Sequence, residues 1–157
     1  MTHLTDKEIA RTHILEIEVP CVPVSQNVRE KKHWGRLKDI ADAWRVGVLS
    51  VTSFHSDAAR ALDANVWAAT PRKVRISITC YFCPMQKKNK FLASKRGKRL
   101  DHANLIGGLK PAFDSLVHAG LIKDDGPKYI EHGEIQQVIE RDPRRHRTVI
   151  RLELLEG

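Results

Sequence analysis

Long apolar runs are missing from this sequence. No stretch of about 18 apolar residues occurs, so no membrane-spanning helix is expected. The opening segment, MTHLTDKEIARTH, is polar and lacks the apolar core of a signal peptide. Aromatic residues make up only 6% of the chain, so aliphatic side chains must form most of its core. Cysteines number three, Cys21, Cys80 and Cys83, an odd count that speaks against a disulfide framework and fits a reducing cytoplasm. Cys80 and Cys83 form one CxxC, but no second CxxC or His pair at zinc-finger spacing follows. They therefore read as strand cysteines packing as small hydrophobes. Neither an internal repeat nor a linker is present, and 157 residues point to one domain spanning 1–157.

Positive charge is what the chain has in excess. The formal net charge is +8 and the pI about 9.6. That balance favours a polyanionic partner and is silent about fold; a ribosome-associated or membrane-surface protein would share it.

Hydrophobic periodicity places the elements. Residues 14–19, ILEIEV, alternate apolar and charged as a half-buried strand does, and Pro20 and Pro23 end it. CVPVSQN then has turn chemistry. From about Arg29 to Val51, Leu37, Ile40, Ala41, Trp44 and Val48 recur at helical spacing. A second helix is expected from Asp57 to Ala69, capped by Ser56 and stopped by Thr70-Pro71. Residues 74–82, VRISITCYF, are β-branched and aromatic and read as a strand closed by Pro84. Residues 86–99 carry seven Lys or Arg and no acid, which predicts a mobile basic loop.

A helix follows over roughly Leu105–Ala119, burying Leu105, Leu109, Phe113, Leu116 and Val117. Pro111 lies inside it, so the helix is either kinked there or begins properly only near Lys110. Gly120 suits the C-cap position. About Tyr129–Val138 and Thr148–Leu155 look like a β-hairpin joined by the basic loop ERDPRRHR. The order predicts an α+β fold, a mixed sheet with helices packed on one face.

Chemistry concentrates between Lys98 and Lys128. Asp101 precedes the predicted helix, Lys110 and Asp114 lie on it, and Asp124-Asp125 follow its end. Carboxylates arriving from both ends of a helix, beside a cationic segment, are what a divalent-metal nuclease needs. The cations hold a phosphate backbone and the carboxylates hold Mg²⁺. Lys110 to Ala119 spans only about 15 Å as a helix, so a neighbouring strand could bring both ends into one cleft. Each residue also has a plainer reading. Asp124-Asp125-Gly126-Pro127 is a good turn. Asp101 could answer the helix macrodipole. Lys110 and Asp114, four apart, could be a surface pair worth a few tenths of a kcal/mol. The basic loop could be merely solvated, and His102 a surface or capping residue.

With those residues in view, the stretch resembles the RusA family of Holliday-junction resolvases of bacteria and their phages. That family has Asp-x-Asp-Asn-Leu, a helix with Lys and Asp, Ala-Gly, then Asp-Asp. Asp101-His102-Ala103-Asn104-Leu105, Lys110, Phe113-Asp114, Ala119-Gly120 and Asp124-Asp125 are similar. The likeness covers most of the chain, is specific from Lys98 to Pro127, and includes the Pro23, Ser25, Asn27 turn after the first strand. It implies a homodimeric, Mg²⁺-dependent endonuclease, with Mn²⁺ as the alternative ion, that nicks four-way DNA junctions symmetrically. By the same resemblance Asp101 and Asp125 are metal ligands, with Asp124 beside them. Lys110 stabilises the scissile phosphate or orders the site, and Asn104, Asp114 and Asp124 support it. Lys87, Lys88, Lys90, Lys95, Arg96, Lys98 and Arg99 become the candidates for DNA-backbone contact. Arg29, Lys31, Lys32 and the Arg144–Arg147 loop are weaker ones.

Two departures stand out. Ala103 occupies the second acidic position, and the Asn104–Lys110 interval is about one helical turn longer than in shorter members. Ala103 is compatible with divergence, with an inactivating change, or with a site completed by His102 or Asp124.

Overall fold

Alternation of buried and exposed side chains builds the sheet of this protein. The computed structural model describes residues 14–23, 34–52, 73–82, 102–142 and 145–155. The helix expected at 57–69, the basic loop 86–99, Asp101 and Cys83 lie outside them. The described elements, in order, are β1 (Ile14–Val19), α1 (Trp34–Val51), β2 (Val74–Phe82), α2 (His102–Gly108), α3 (Lys110–His118), β3 (Ile130–Ile139) and β4 (Arg147–Leu154).

Leu15, Ile17 and Val19 of β1 are buried, as are Val74, Ile76, Ile78 and Cys80 of β2. Thr148, Ile150, Leu152 and Leu154 of β4 complete that face. Each such Ile or Leu contributes roughly 2 kcal/mol by leaving water. The other face is polar: Arg75 pairs with Glu131 at 3.1 Å and with Glu153 at 3.6 Å. Thr148 is the buried exception, and its hydroxyl donates to the Cys21 carbonyl at 2.6 Å.

The sheet is mixed, in the order β1-β4-β2-β3. β4 runs antiparallel to β1 and β2, and β3 runs parallel to β2. The expected C-terminal hairpin is therefore not formed, because β2 lies between β3 and β4. This arrangement gives β2 ladder partners along both edges. The connection crosses the end of β2. Glu140 N–H donates to the Phe82 carbonyl at 2.8 Å as the chain leaves β3. Arg147 fixes the entry to β4: it reaches Glu18 at 2.9 Å and Glu140 at 3.0 Å, and its guanidinium lies 4.0 Å from the Tyr81 ring centroid.

One irregularity sets the register of β3. Ile76 stands opposite His132 but Ile78 opposite Ile135, so β3 advances one extra residue around Gly133. This bulge puts both Ile130 and Ile135 on the core side, although they stand an odd five positions apart. A Cβ at Gly133 would clash with Ser77 Oγ and sit 3.1 Å from the Ile76 carbonyl oxygen.

The helices share one core cluster with the buried sheet face. Trp44 and Val48 of α1 are fully buried, with Ile40 packed against the cluster. Gly47 lets α1 approach β1 closely, since a Cβ there would lie 2.7 Å from Val19 Cγ1. The helix expected over about 105–119, kinked at Pro111 or starting properly near Lys110, begins earlier, at His102, and is broken at Leu109, with its second piece starting at Lys110. Pro111 has no N–H to return to the Gly107 carbonyl. The Leu109 N–H closes α2 on Leu105 and Ile106, while the Leu109 carbonyl accepts the Phe113 N–H to open α3. Leu105, Leu109, Phe113 and Leu116 are all buried, and Val117 is half-buried. No helix among the described residues is long and apolar enough to cross a membrane.

Candidate functional site

The end of α3 turns the chain back on itself. Gly120 adopts φ +80°, its N–H donates to Val117, and the Leu121 N–H donates to Leu116. These two bonds form a Schellman motif, which satisfies the last helix carbonyls and needs a residue that accepts positive φ. Leu121 and Ile122 are buried and anchor the return. The nine residues of α3 rise about 13.5 Å, and five residues of extended chain span about 17 Å. The segment after Gly120 is thus long enough to carry Asp125 back to the start of the helix.

Lys110 meets it there. The Lys110 ammonium donates to Asp125 Oδ2 and pairs with Asp114 Oδ1 at 3.1 Å. Asp124 joins through its Oδ1, which accepts the Asp125 backbone N–H at 2.8 Å. The hydrogen bond from Lys110 is the main cause holding the Asp125 carboxyl below its usual range. Conversely, the bond to Asp125, followed by that to Asp114, raises the Lys110 ammonium above its usual value. Both partners are therefore charged at neutral pH.

Four of the six predicted site residues, Lys110, Asp114, Asp124 and Asp125, thus come together. Asn104 is half-buried on α2 and Ala103 is exposed beside it. Asp101 and the seven basic-loop candidates lie outside the described residues. Arg147, one of the weaker DNA-contact candidates, spends its guanidinium on Glu18, Glu140 and Tyr81 within the fold.

Among the described residues no group of three or more His, Cys, Asp or Glu could hold a metal ion. The pair that is there still fits a hard cation in part. Asp125 Oδ2 accepts from Lys110 and Asp124 Oδ1 from a backbone N–H; an ionised carboxylate has about four lone-pair sites, so each keeps acceptor capacity for a cation. Mg²⁺ binds through one or two carboxylates plus waters and substrate phosphates.

Three residues of this loop escaped the sequence reading. Lys123 and Lys128 each place their ammonium 5.5 Å from the centroid of the Tyr129 ring. The signal was available in Lys123–Tyr129, KDDGPKY, where cations bracket the acidic pair and an aromatic follows. Next along β3, His132 meets Phe113 of α3 edge-on, with centroids 5.6 Å apart.

Compared with known families and curated proteins, the sequence matches no family model and no curated protein.

Proposed function

We propose that the chain is a RusA-like endonuclease that binds four-way DNA junctions as a homodimer and nicks them symmetrically, using Mg²⁺ or Mn²⁺. The observation that carries this reading is the contact between Lys110 and Asp125. Two residues singled out by the resemblance, fifteen positions apart, share one ion pair, with Asp114 and Asp124 attached to it.

Asp124 and Asp125 would hold the ion through the acceptor capacity their carboxylates keep, with Asp101 as the further ligand. A bound divalent ion activates water and stabilises the leaving oxygen of a phosphodiester. Lys110 holds the Asp125 carboxyl below its usual range and so favours its ionised form. An ammonium has three donors, and among the described residues two are taken, by Asp114 and Asp125, so one is left for a phosphate oxygen. One active site is poorly suited to symmetric cleavage, whereas a two-fold dimer presents two sites to opposing strands.

Ala103 favours a second reading, a junction-binding protein on the same fold with cleavage impaired. Its side chain is exposed and carries no charge where the related pattern has a carboxylate. A labelled four-way junction separates the two. Paired nicks that depend on Mg²⁺ support the nuclease. Binding without nicks, with cutting gained in Ala103→Asp, supports the impaired form. Equal affinity for linear duplex and junction, without cutting, would reduce the protein to a basic nucleic-acid-binding module.

A further inference from the structure

The loop between α3 and β3 holds two cations that the acidic pair does not neutralise. Lys123 immediately precedes Asp124-Asp125 and Lys128 follows three residues later. Neither pairs with a carboxylate among the described residues; both lie against Tyr129 instead. Asp125 takes its counter-charge from Lys110.

Tyr129 is a fixed platform for them. Its ring packs against the core cluster. Its N–H donates to Gly126 at 2.9 Å and its carbonyl accepts the Val74 N–H at 2.8 Å. Two like charges held at one exposed ring still repel each other, although the ring's negative face attracts both. An anion lying between or beside them would relieve that repulsion. Both lysines are exposed, so such an anion can reach them from solvent.

We propose that Lys123 and Lys128, held on Tyr129, form a clamp for the nucleic-acid backbone that seats about two phosphates next to Asp124-Asp125. The clamp deepens the nuclease reading and rests on it for its DNA partner. It supplies a backbone contact from the described part of the fold, in addition to the candidates in the 86–99 sequence. Lysine acts here as a point charge, so the clamp positions the strand without reading its sequence.

The test is the salt dependence of binding to a fluorescent four-way junction in EDTA, from 50 to 200 mM KCl, for the full chain and its variants. Each phosphate contact adds about 0.9 to the slope of log affinity against log salt. Each chain of the proposed homodimer brings one clamp, so Lys123→Gln/Lys128→Gln should lower the slope by about 3.6, and the unchanged protein loses roughly 150-fold more affinity than the variant over that range. Tyr129→Leu keeps both charges but releases them, and should fall between the two. Both lysines are surface residues, and an unchanged thermal melt shows that the variants fold.

An unaltered slope in the lysine variant, with junction binding intact, overturns the clamp and leaves the nuclease reading standing. A lowered slope in a chain that binds but never nicks keeps the clamp and overturns the nuclease. No binding to any DNA overturns both.

Discussion

Lys110 and Asp125 are fifteen residues apart, and their ion pair ties the first turn of α3 to the loop that leaves its last turn. Asp114 shares the same ammonium from one turn along the helix. The pair does two things at once. It closes the loop against the helix, and it lowers the pKa of a carboxylate at the place where the proposed chemistry needs one.

That coupling has a pH signature. The Asp125 pKa is lowered, so its contribution to stability is complete above the unfolded carboxylate value near 3.9 and is lost as pH falls through the lower folded value. The Lys110 pKa is raised, so its contribution is complete below about 10.4 and is lost as pH rises through the higher folded value. Lys110 is half exposed, so solvent screening limits the pair to about 0.5 kcal/mol. In Lys110→Met the Asp125 carboxyl should titrate at higher pH, read by NMR of the carboxyl carbon. A titration unchanged by that substitution would remove Lys110 as the cause.

Gly133 and Gly120 make opposite demands, and alanine at each tests them apart. At Gly133 the obstacle is steric: Ser77 Oγ and the Ile76 carbonyl occupy the space a Cβ needs. Gly133→Ala should cost about 1–3 kcal/mol in urea unfolding, and Ser77→Ala in the same chain should recover part of it. At Gly120 nothing lies within 4 Å of the added Cβ, and only the positive φ is strained. Gly120→Ala should cost about 1 kcal/mol, and Gly120→Asn less. Equal losses at both sites, with no rescue by Ser77→Ala, would contradict the bulge account.

Local pattern made the individual elements legible, and long-range pairing was what it left out. The alternation in ILEIEV and VRISITCYF located β1 and β2, and Trp44 and Val48 marked the buried stripe of α1. Pro111 announced the break at Leu109, and Gly120 the helix end. Partner choice between strands leaves no such local mark. β3 and β4 are neighbours in sequence with turn-forming residues between them, yet they flank β2 because Glu140 and Arg147 carry the connection across its end. At the site, spacing foretold the Lys110–Asp114 pair. The Lys110–Asp125 contact depended on how far the chain doubles back after Gly120, a tertiary distance no periodicity encodes. Lys123 and Lys128 were visible as charges, but not as partners of Tyr129.

Cys80 offers a check on the core. Burial pushes its thiol up to about 11, against a lowering hydrogen bond with Thr148. A thiol so placed has almost no thiolate at neutral pH and little access to reagents. Native protein treated with iodoacetamide at pH 8 should leave Cys80 unmodified, and the same treatment in denaturant should modify it, as read by peptide mass mapping. Labelling at equal rates in both states would mean that β2 is not buried as described.

The most direct test of the central claim is a cleavage assay on one labelled four-way junction with Mg²⁺, running the chain beside Asp125→Asn. Paired nicks on opposing strands are expected from the chain, reduced by about a hundredfold or more in Asp125→Asn, whose junction binding should persist. Nicking that survives Asp125→Asn would contradict the assigned site. Failure to cut any branched DNA, with Mg²⁺ or Mn²⁺ at any concentration, would contradict the nuclease itself.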